Sequence, residues 1–143
     1  MTVQKLIEYL LSNAKHNTSE ITIIFLANVI GHTPNRNDYE DTSILTEFLS
    51  LTEYNELISY LQNYGFYVLT YFDTNKFIID YLSAKFPSTQ LIIFEGSQKG
   101  TGKARDSFIP AFCDLEGLRH TGPNAYVNSI CTNKYHESVN KSL

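Results

Sequence analysis

The chain has 143 residues and a mass of 16.3 kDa, of which 43% are hydrophobic, 13% aromatic and 18% charged. This composition excludes a fibrous or largely disordered chain, and the length suits one domain, residues 1–143, with its own hydrophobic core. The formal net charge is −4, which argues against nucleic acid as a partner because phosphate backbones are bound by an excess of Lys and Arg.

Signals for membranes and metals are missing from the sequence. No apolar run approaches the about 20 residues that cross a bilayer, and the N-terminus lacks a signal-peptide pattern. Cys113 and Cys131 match neither a disulfide framework nor a metal-ligand spacing, so we expect free thiols packed on helices. These features predict a cytoplasmic protein that does not contact a membrane.

The charge is distributed unevenly along the chain. Residues 1–98 carry five basic and eleven acidic side chains, a balance of −6, whereas residues 99–143 carry six basic and four acidic ones, a balance of +2. If the chain binds an anion, its last third is the part suited to do so.

The first half begins with apolar residues at helical spacing, which predict an amphipathic helix over about 3–16. We expect this helix, within residues 1–17, to be an N-terminal addition to a core formed by residues 18–143. A continuous β-branched run at 21–27 predicts a strand buried on both faces. The polar stretch 31–42 is long for a connection and predicts a functional or mobile loop. Apolar spacing at 43–49 predicts a second helix.

The second half repeats the alternation of helices and strands. A helix beginning near Ser50 or Thr52 and ending at Gly65 precedes a strand over 66–72. Asp73 starts a helix that stops before Pro87, and a very hydrophobic strand follows at 91–94. The remaining chain predicts a helix over 105–116, a short extended piece at 118–121 and a last helix from about residue 124.

Buried strands that alternate with helices predict an α/β fold: a small Rossmann-like parallel sheet of about four strands, with helices on both faces. Ligands of such sheets lie beyond the carboxyl ends of the strands, where the strand order reverses. Three segments meet this description, namely residues 31–42, 73–75 and 96–103.

The glycine-containing loop at 96–103 is not a P-loop. Ser97 stands where the first glycine of that motif is needed, and Ala104 replaces the hydroxyl residue. The loop nevertheless places Lys99, Lys103 and Arg105 before a helix N-terminus, a combination that favours an anion. Two interpretations therefore remain, an anion or carboxylate site and a solvated flexible loop.

Other polar residues also have two interpretations. Asp38, Glu40 and Asp41 could receive a substrate amine or could simply be solvated, and Asp73 suits a helix cap better than a ligand contact. The histidines have no partner at metal-ligand spacing and no adjacent nucleophile. The residues alone thus indicate a ligand-binding α/β domain without naming a reaction.

The segment 93–134 resembles the N-terminal region of D-alanine–D-alanine ligase-like ATP-grasp enzymes. The resemblance rests on a strand, a glycine-containing loop and three motifs in order: Arg105-Asp106 followed by Pro110-Ala111, then Leu118-Arg-His-Thr-Gly122, then the pair Asn133-Lys134. The resemblance implies a pre-ATP-grasp domain that forms part of an amino-acid pocket.

In that family, ATP and Mg²⁺ activate a carboxylate as an acyl phosphate, which an amine then attacks. The resemblance implies that Gly100, Gly102, Lys103 and Arg105 face the substrate, that Glu40 and Asp41 face its amine, and that Lys134 reaches the ATP phosphates.

The 143 residues contain no counterpart of the two ATP-grasp subdomains. We therefore expect a substrate-side domain that binds no ATP or Mg²⁺ by itself, catalyses nothing alone, and needs an ATP-grasp domain or partner chain together with an amino-acid-like substrate. The alternative is a non-catalytic, stand-alone interaction or scaffold protein that retains the fold, and a homodimer stays open in both cases.

Overall fold

The computed structural model describes residues 2–34, 48–86, 90–97 and 105–127. The chain forms an α/β fold with a four-stranded, all-parallel sheet in the order β2-β1-β3-β4. The strands are β1 (Ile21–Ala27), β2 (Tyr67–Tyr71), β3 (Gln90–Gly96) and the two-residue β4 (Arg119–His120). The predicted fold class is confirmed.

In the described residues, four helices accompany the strands: α1 (Val3–Asn17), α2 (Leu51–Asn63), α3 (Thr74–Leu82) and α4 (Phe108–Glu116). A short 3₁₀ turn, Thr18–Glu20, connects α1 directly to β1. A further helical turn covers residues 125–127, where the predicted last helix begins, and the Asn124 side chain accepts a hydrogen bond from the Val127 N–H.

The strand order places the helices on opposite faces of the sheet. The chain passes from β1 to β2 in one direction and then from β2 to β3 and β4 in the other, so right-handed crossovers put α2 on one face and α3 with α4 on the other. The core confirms this arrangement. Phe25 and Ala27 pack with Tyr54 of α2, whereas Ile24 and Leu26 pack with side chains of α3 and α4.

The connection from β1 to α2 closes through the backbone. The Leu49 N–H donates to the Asn28 carbonyl and the Ile30 N–H donates to the Leu49 carbonyl, both at 2.9 Å. These bonds form a parallel bridge between Val29 and Leu49 that extends the sheet beyond β1. The helix predicted over 43–49 is therefore wrong at Phe48 and Leu49, and the rest of that segment lies outside the described residues.

Local signals explain where the helices begin and end. Ser50 and Glu53 form a reciprocal capping box at the start of α2. Of the two N-caps that the sequence allowed, Ser50 and Thr52, the helix therefore uses Ser50. Gly65 and Gly117 follow α2 and α4 with φ of +94° and +68°, as the sequence predicts for residues that end helices.

Candidate functional site at the carboxyl edge of the sheet

The carboxyl ends of β1, β2 and β3 form one edge of the sheet, called here the carboxyl edge. Because the order is β2-β1-β3, the chain reverses its direction of crossover between β1 and β3. Parallel α/β sheets bind ligands in the crevice at this position. The structure thus brings to one edge the described parts of the three segments predicted to form a site, which follow Ala27, Tyr71 and Gly96.

Glu95 is the acidic residue that β3 carries to this edge. Its neighbour two residues earlier, Ile93, is fully buried on the same face of the sheet, and Glu95 itself is half-buried. The Ser97 backbone N–H donates a hydrogen bond to Glu95 Oε1 at 3.2 Å, and the Glu95 N–H donates to Thr121 Oγ1 at 3.1 Å. The Ser97 N–H at the end of β3 therefore orients the carboxyl group, and Thr121, the residue after β4, holds the backbone of Glu95.

The surroundings of Glu95 raise its pKa to about 7, from 4.5. Burial is the main cause, since a desolvated carboxylate is costly, and the negative charge of Asp106 adds to it. The hydrogen bond from the Ser97 N–H and the charge of His120 act in the opposite direction. A carboxyl group with this pKa can hold a proton near neutral pH and exchange it for a bound cation.

Two buried hydroxyl groups meet at the carboxyl edge. Thr74, the first residue of α3, and Ser97, the residue after β3, are both buried, and Thr74 Oγ1 donates to Ser97 Oγ at 3.5 Å. This contact joins the segments that follow β2 and β3, the strands on either side of β1. The carboxyl edge is consequently tied together by side chains as well as by the sheet.

The end of β4 completes the region. The Thr121 N–H donates to the Ile93 carbonyl at 2.9 Å, and His120 Nδ1 lies 3.1 Å from the Thr121 carbonyl. A carbonyl only accepts, so this hydrogen bond requires the proton on Nδ1. His120 Nε2 lies 3.6 Å from Asp114 Oδ1 of α4, which orients the ring between the helix and the strand.

At two of the helix N-termini near this edge, a carboxylate of the same chain already accepts a hydrogen bond from a backbone N–H. Glu53 Oε2 accepts from the Ser50 N–H at the start of α2, and Asp73 Oδ1 accepts from the Asn75 N–H at the start of α3. The interpretation of Asp73 as a helix cap is confirmed. The N-cap of α4, Ser107, makes no side-chain capping hydrogen bond. The basic loop predicted as an anion site leads into this helix.

Most of the predicted site residues lie outside the described residues. This applies to Glu40 and Asp41 of the first loop, Gly100, Gly102 and Lys103 of the glycine-containing loop, and Lys134. Arg105 is described: it is half-buried in the turn before α4, at the carboxyl edge. Of the predicted set, Arg105 is therefore the one residue that the described part of the chain contains.

Cys113 of α4 is a fully buried free cysteine, as expected for a thiol packed on a helix. Burial is the first cause that raises its pKa to about 12, and the charges of Glu95 and Asp114 contribute. It is therefore a neutral thiol and no nucleophile at physiological pH. Within residues 2–34, 48–86, 90–97 and 105–127, no group of three His, Cys, Asp or Glu side chains could hold a metal ion.

Glu95, Ser97 and Thr74 were missed as candidate site residues. One signal could have pointed to Glu95, because it is the charged residue that ends an otherwise apolar strand on the side where α/β sheets bind ligands. Thr74 and Ser97 lie within the predicted segments 73–75 and 96–103, but no local signal predicts the contact between them, which joins residues 23 positions apart.

No protein-family model, curated protein or solved structure matches this chain. Among the described helices, none is long and apolar enough to cross a membrane.

Proposed function

We propose that this chain is the substrate-side, pre-ATP-grasp domain of an ATP-grasp ligase that joins an amino-acid carboxylate to an amine. The observation that carries the proposal is the half-buried carboxyl group of Glu95, with its raised pKa, at the point where the crossover direction reverses. The sequence resemblance over residues 93–134 begins on the same strand and supports the same conclusion.

In this proposal, Glu95 pairs with the ammonium group of an amino-acid substrate, in place of a proton. Arg105 and Lys103 attract the substrate carboxylate at the start of α4, next to the amides of Gly100 and Gly102, while Glu40 and Asp41 add negative charge near the amine. An ion pair with Glu95 is strengthened by the partial burial that raises the pKa of this carboxyl group, since a desolvated charge gains more from a counter-ion.

The nucleotide belongs to the ATP-grasp domain, with Lys134 as the contact contributed by this chain. When bound there, ATP with Mg²⁺ supplies the phosphoryl group that activates the substrate carboxylate. The isolated chain is therefore expected to bind an amino acid weakly and to catalyse nothing. The proposal includes a cytoplasmic location, where both amino acids and ATP are present.

Amino-acid titrations followed by ¹H–¹⁵N spectra test this assignment. We expect shifts at residues 95–97 and 105–107. For a pKa of about 7, the ionised fraction of Glu95 rises from about one-tenth at pH 6 to about nine-tenths at pH 8, so the affinity should rise about tenfold over this range. Shifts confined to other parts of the chain would reject the site.

Matched variants sharpen the test. Glu95→Gln keeps an acceptor for the Ser97 N–H but cannot pair with an ammonium group, so it should lose at least about tenfold in affinity. Glu56→Gln on the exposed surface of α2 should bind as the wild type does. Lys134→Ala should also keep its amino-acid affinity, because this lysine is assigned to the nucleotide. ATP-dependent phosphate release by the isolated chain would contradict the proposal that the nucleotide is bound by the ATP-grasp domain and that this chain catalyses nothing alone.

The second candidate function is a non-catalytic interaction or scaffold protein that keeps the fold. The exposed apolar face of α1 favours it, because contiguous apolar surface commonly marks a protein–protein contact. The titration separates the two functions. A scaffold protein should show no amino-acid binding at the carboxyl edge at any pH between 6 and 8.

A further inference from the structure

The apolar side of α1 faces solvent. Five large side chains, called here the apolar stripe, keep substantial fractions of their surface exposed: Val3 75%, Leu6 44%, Ile7 51%, Tyr9 58% and Leu10 57%. Val3, Leu6, Ile7 and Leu10 follow the i, i+3, i+4, i+7 spacing of one helix face, and Tyr9 flanks Leu6. This spacing normally indicates a face that packs on another surface.

Both ends of α1 have defined contacts, and its C-terminal end, called here the base, is held against the rest of the chain. The helix starts at a Thr2 cap, whose Oγ1 accepts from the Lys5 N–H, and it passes through the Thr18–Glu20 turn straight into β1. Thr18 is buried next to Gly65 at the amino end of the sheet. α1 thus joins the sheet at the amino end of β1, the end opposite to the carboxyl edge.

The area of the stripe suits a dimer. A fully exposed aliphatic or aromatic side chain of this size presents about 150–230 Å², so the five side chains leave about 500 Å² of each copy in water. Two such stripes face to face cover about 1,000 Å² in total, the size at which specific interfaces begin. An interface of this size is typical of weak, concentration-dependent association.

The charges on α1 distinguish among possible occupants. The sequence of α1 contains Lys5, Glu8 and Lys15, charges of both signs, whereas helices that lie on membranes present a face rich in Lys and Arg. A second copy necessarily brings an identical stripe, so a two-fold contact is self-complementary. We propose that the apolar stripe of α1 is a homodimer interface, in which α1 of one protomer packs against α1 of its partner.

Sedimentation velocity of the full chain from 5 to 500 μM tests the proposal. The mass should rise from 16.3 kDa towards twice that value, with a Kd in the micromolar range. The double variant Leu6→Glu/Leu10→Glu should weaken the dimer more than about tenfold, because it buries four carboxylates at the interface. The control Lys5→Gln/Glu8→Gln, on the polar side of the same helix, should change the Kd less than about twofold.

Cross-linking adds a geometric criterion. Ile7 lies in the middle of the described stripe, so Ile7→Cys in a Cys131→Ser background should form a disulfide-linked dimer under mild oxidation, and Glu8→Cys in the same background should not. A wild type that stays monomeric at 500 μM would overturn the proposal, and so would equal dissociation by both double variants. Pelleting of the monomer with anionic lipid vesicles would instead assign the stripe to a membrane and would equally overturn it.

Discussion

The phenolic hydroxyl of Tyr71 donates a hydrogen bond of 3.0 Å to Oδ2 of Asp80, which joins the last residue of β2 to the last turn of α3. The Nζ atoms of Lys76 and Lys85 lie 3.1 and 3.4 Å from the same carboxylate. The hydrogen bond from Lys76, followed by that from Tyr71, lowers the pKa of Asp80. Burial, together with Asp80, raises the pKa of Tyr71 to about 12.

Tyr71→Phe removes one donor from this carboxylate and leaves the ring in place. We expect the free energy of unfolding to fall by about 1.5–3 kcal/mol, the usual cost of losing a hydrogen bond to a charged group. The pKa of Asp80 should rise at the same time, which carboxyl NMR titration measures. The control is Tyr67→Phe on the same strand, where the side chain is exposed and stability should change by less than about 0.5 kcal/mol.

Glu95 should make stability fall as the pH rises. Its pKa is about 7 in the folded chain and 4.5 without the fold, so the folded chain holds the extra proton between these values. The contribution of Glu95 to the free energy of unfolding is therefore lost as the pH rises from about 4.5 through 7. Glu95→Gln should be more stable than the wild type at pH 8 by about 1–3 kcal/mol and equally stable near pH 4.

Urea unfolding of both proteins at several pH values measures this difference. Glu56→Gln, an exposed substitution of the same kind, should follow the wild type at every pH. A stability gain of Glu95→Gln that does not depend on pH would contradict the desolvation argument.

The sequence predicted the order of strands and helices because each element carries its own local signal. The Ser50–Glu53 capping box, the buried run of β1 and the glycine after α4 are all readable within a few residues. The segment at Phe48 and Leu49 could not be predicted in this way. Its apolar spacing resembles a helix, but its conformation is determined by backbone hydrogen bonds with residues about 20 positions away: the Leu49 N–H donates to the Asn28 carbonyl, and the Leu49 carbonyl accepts from the Ile30 N–H.

The candidate site was predicted in location but not in composition. Parallel topology alone places the three strand ends together, whereas the burial that gives Glu95 its pKa depends on α4 and β4, which lie later in the chain. Likewise, the amphipathic pattern of α1 predicts a helix correctly, but it does not indicate what packs against the apolar side of that helix. Long-range packing thus determines what local patterns leave undecided.

Phe77 should be among the costliest residues to truncate. It is fully buried at the centre of an aromatic group on the α3 and α4 face, with ring centroids 5.6–6.3 Å away in Tyr71, Tyr81, Phe86 and Phe112. Phe77→Ala removes these contacts and leaves a cavity, so the free energy of unfolding should fall by about 3–5 kcal/mol. Chemical denaturation measures it. Phe108→Ala, at an exposed position of α4, should cost less than about 1 kcal/mol.

Gly65 and Thr18 should be energetically coupled. Gly65 has a φ of +94°, and a Cβ added there would lie 2.8 Å from Thr18 Oγ1. Gly65→Ala should therefore cost about 2–3 kcal/mol, of which about 1–2 comes from the left-handed backbone and the rest from this contact. Gly31→Ala provides the matched control, since its φ is +77° and an added Cβ meets nothing within 4 Å, so it should cost the backbone contribution alone.

A double-mutant cycle isolates the contact from the backbone strain. In a Thr18→Ala background the oxygen is absent and the next nearest atom, the Thr18 Cβ, is 3.7 Å from the added methyl group, an ordinary contact. Gly65→Ala should then cost about 1 kcal/mol less than in the wild type, measured by urea unfolding of all four proteins. Additive costs would show instead that the 3₁₀ turn moves aside, so that the base of α1 is not held against the α2–β2 turn.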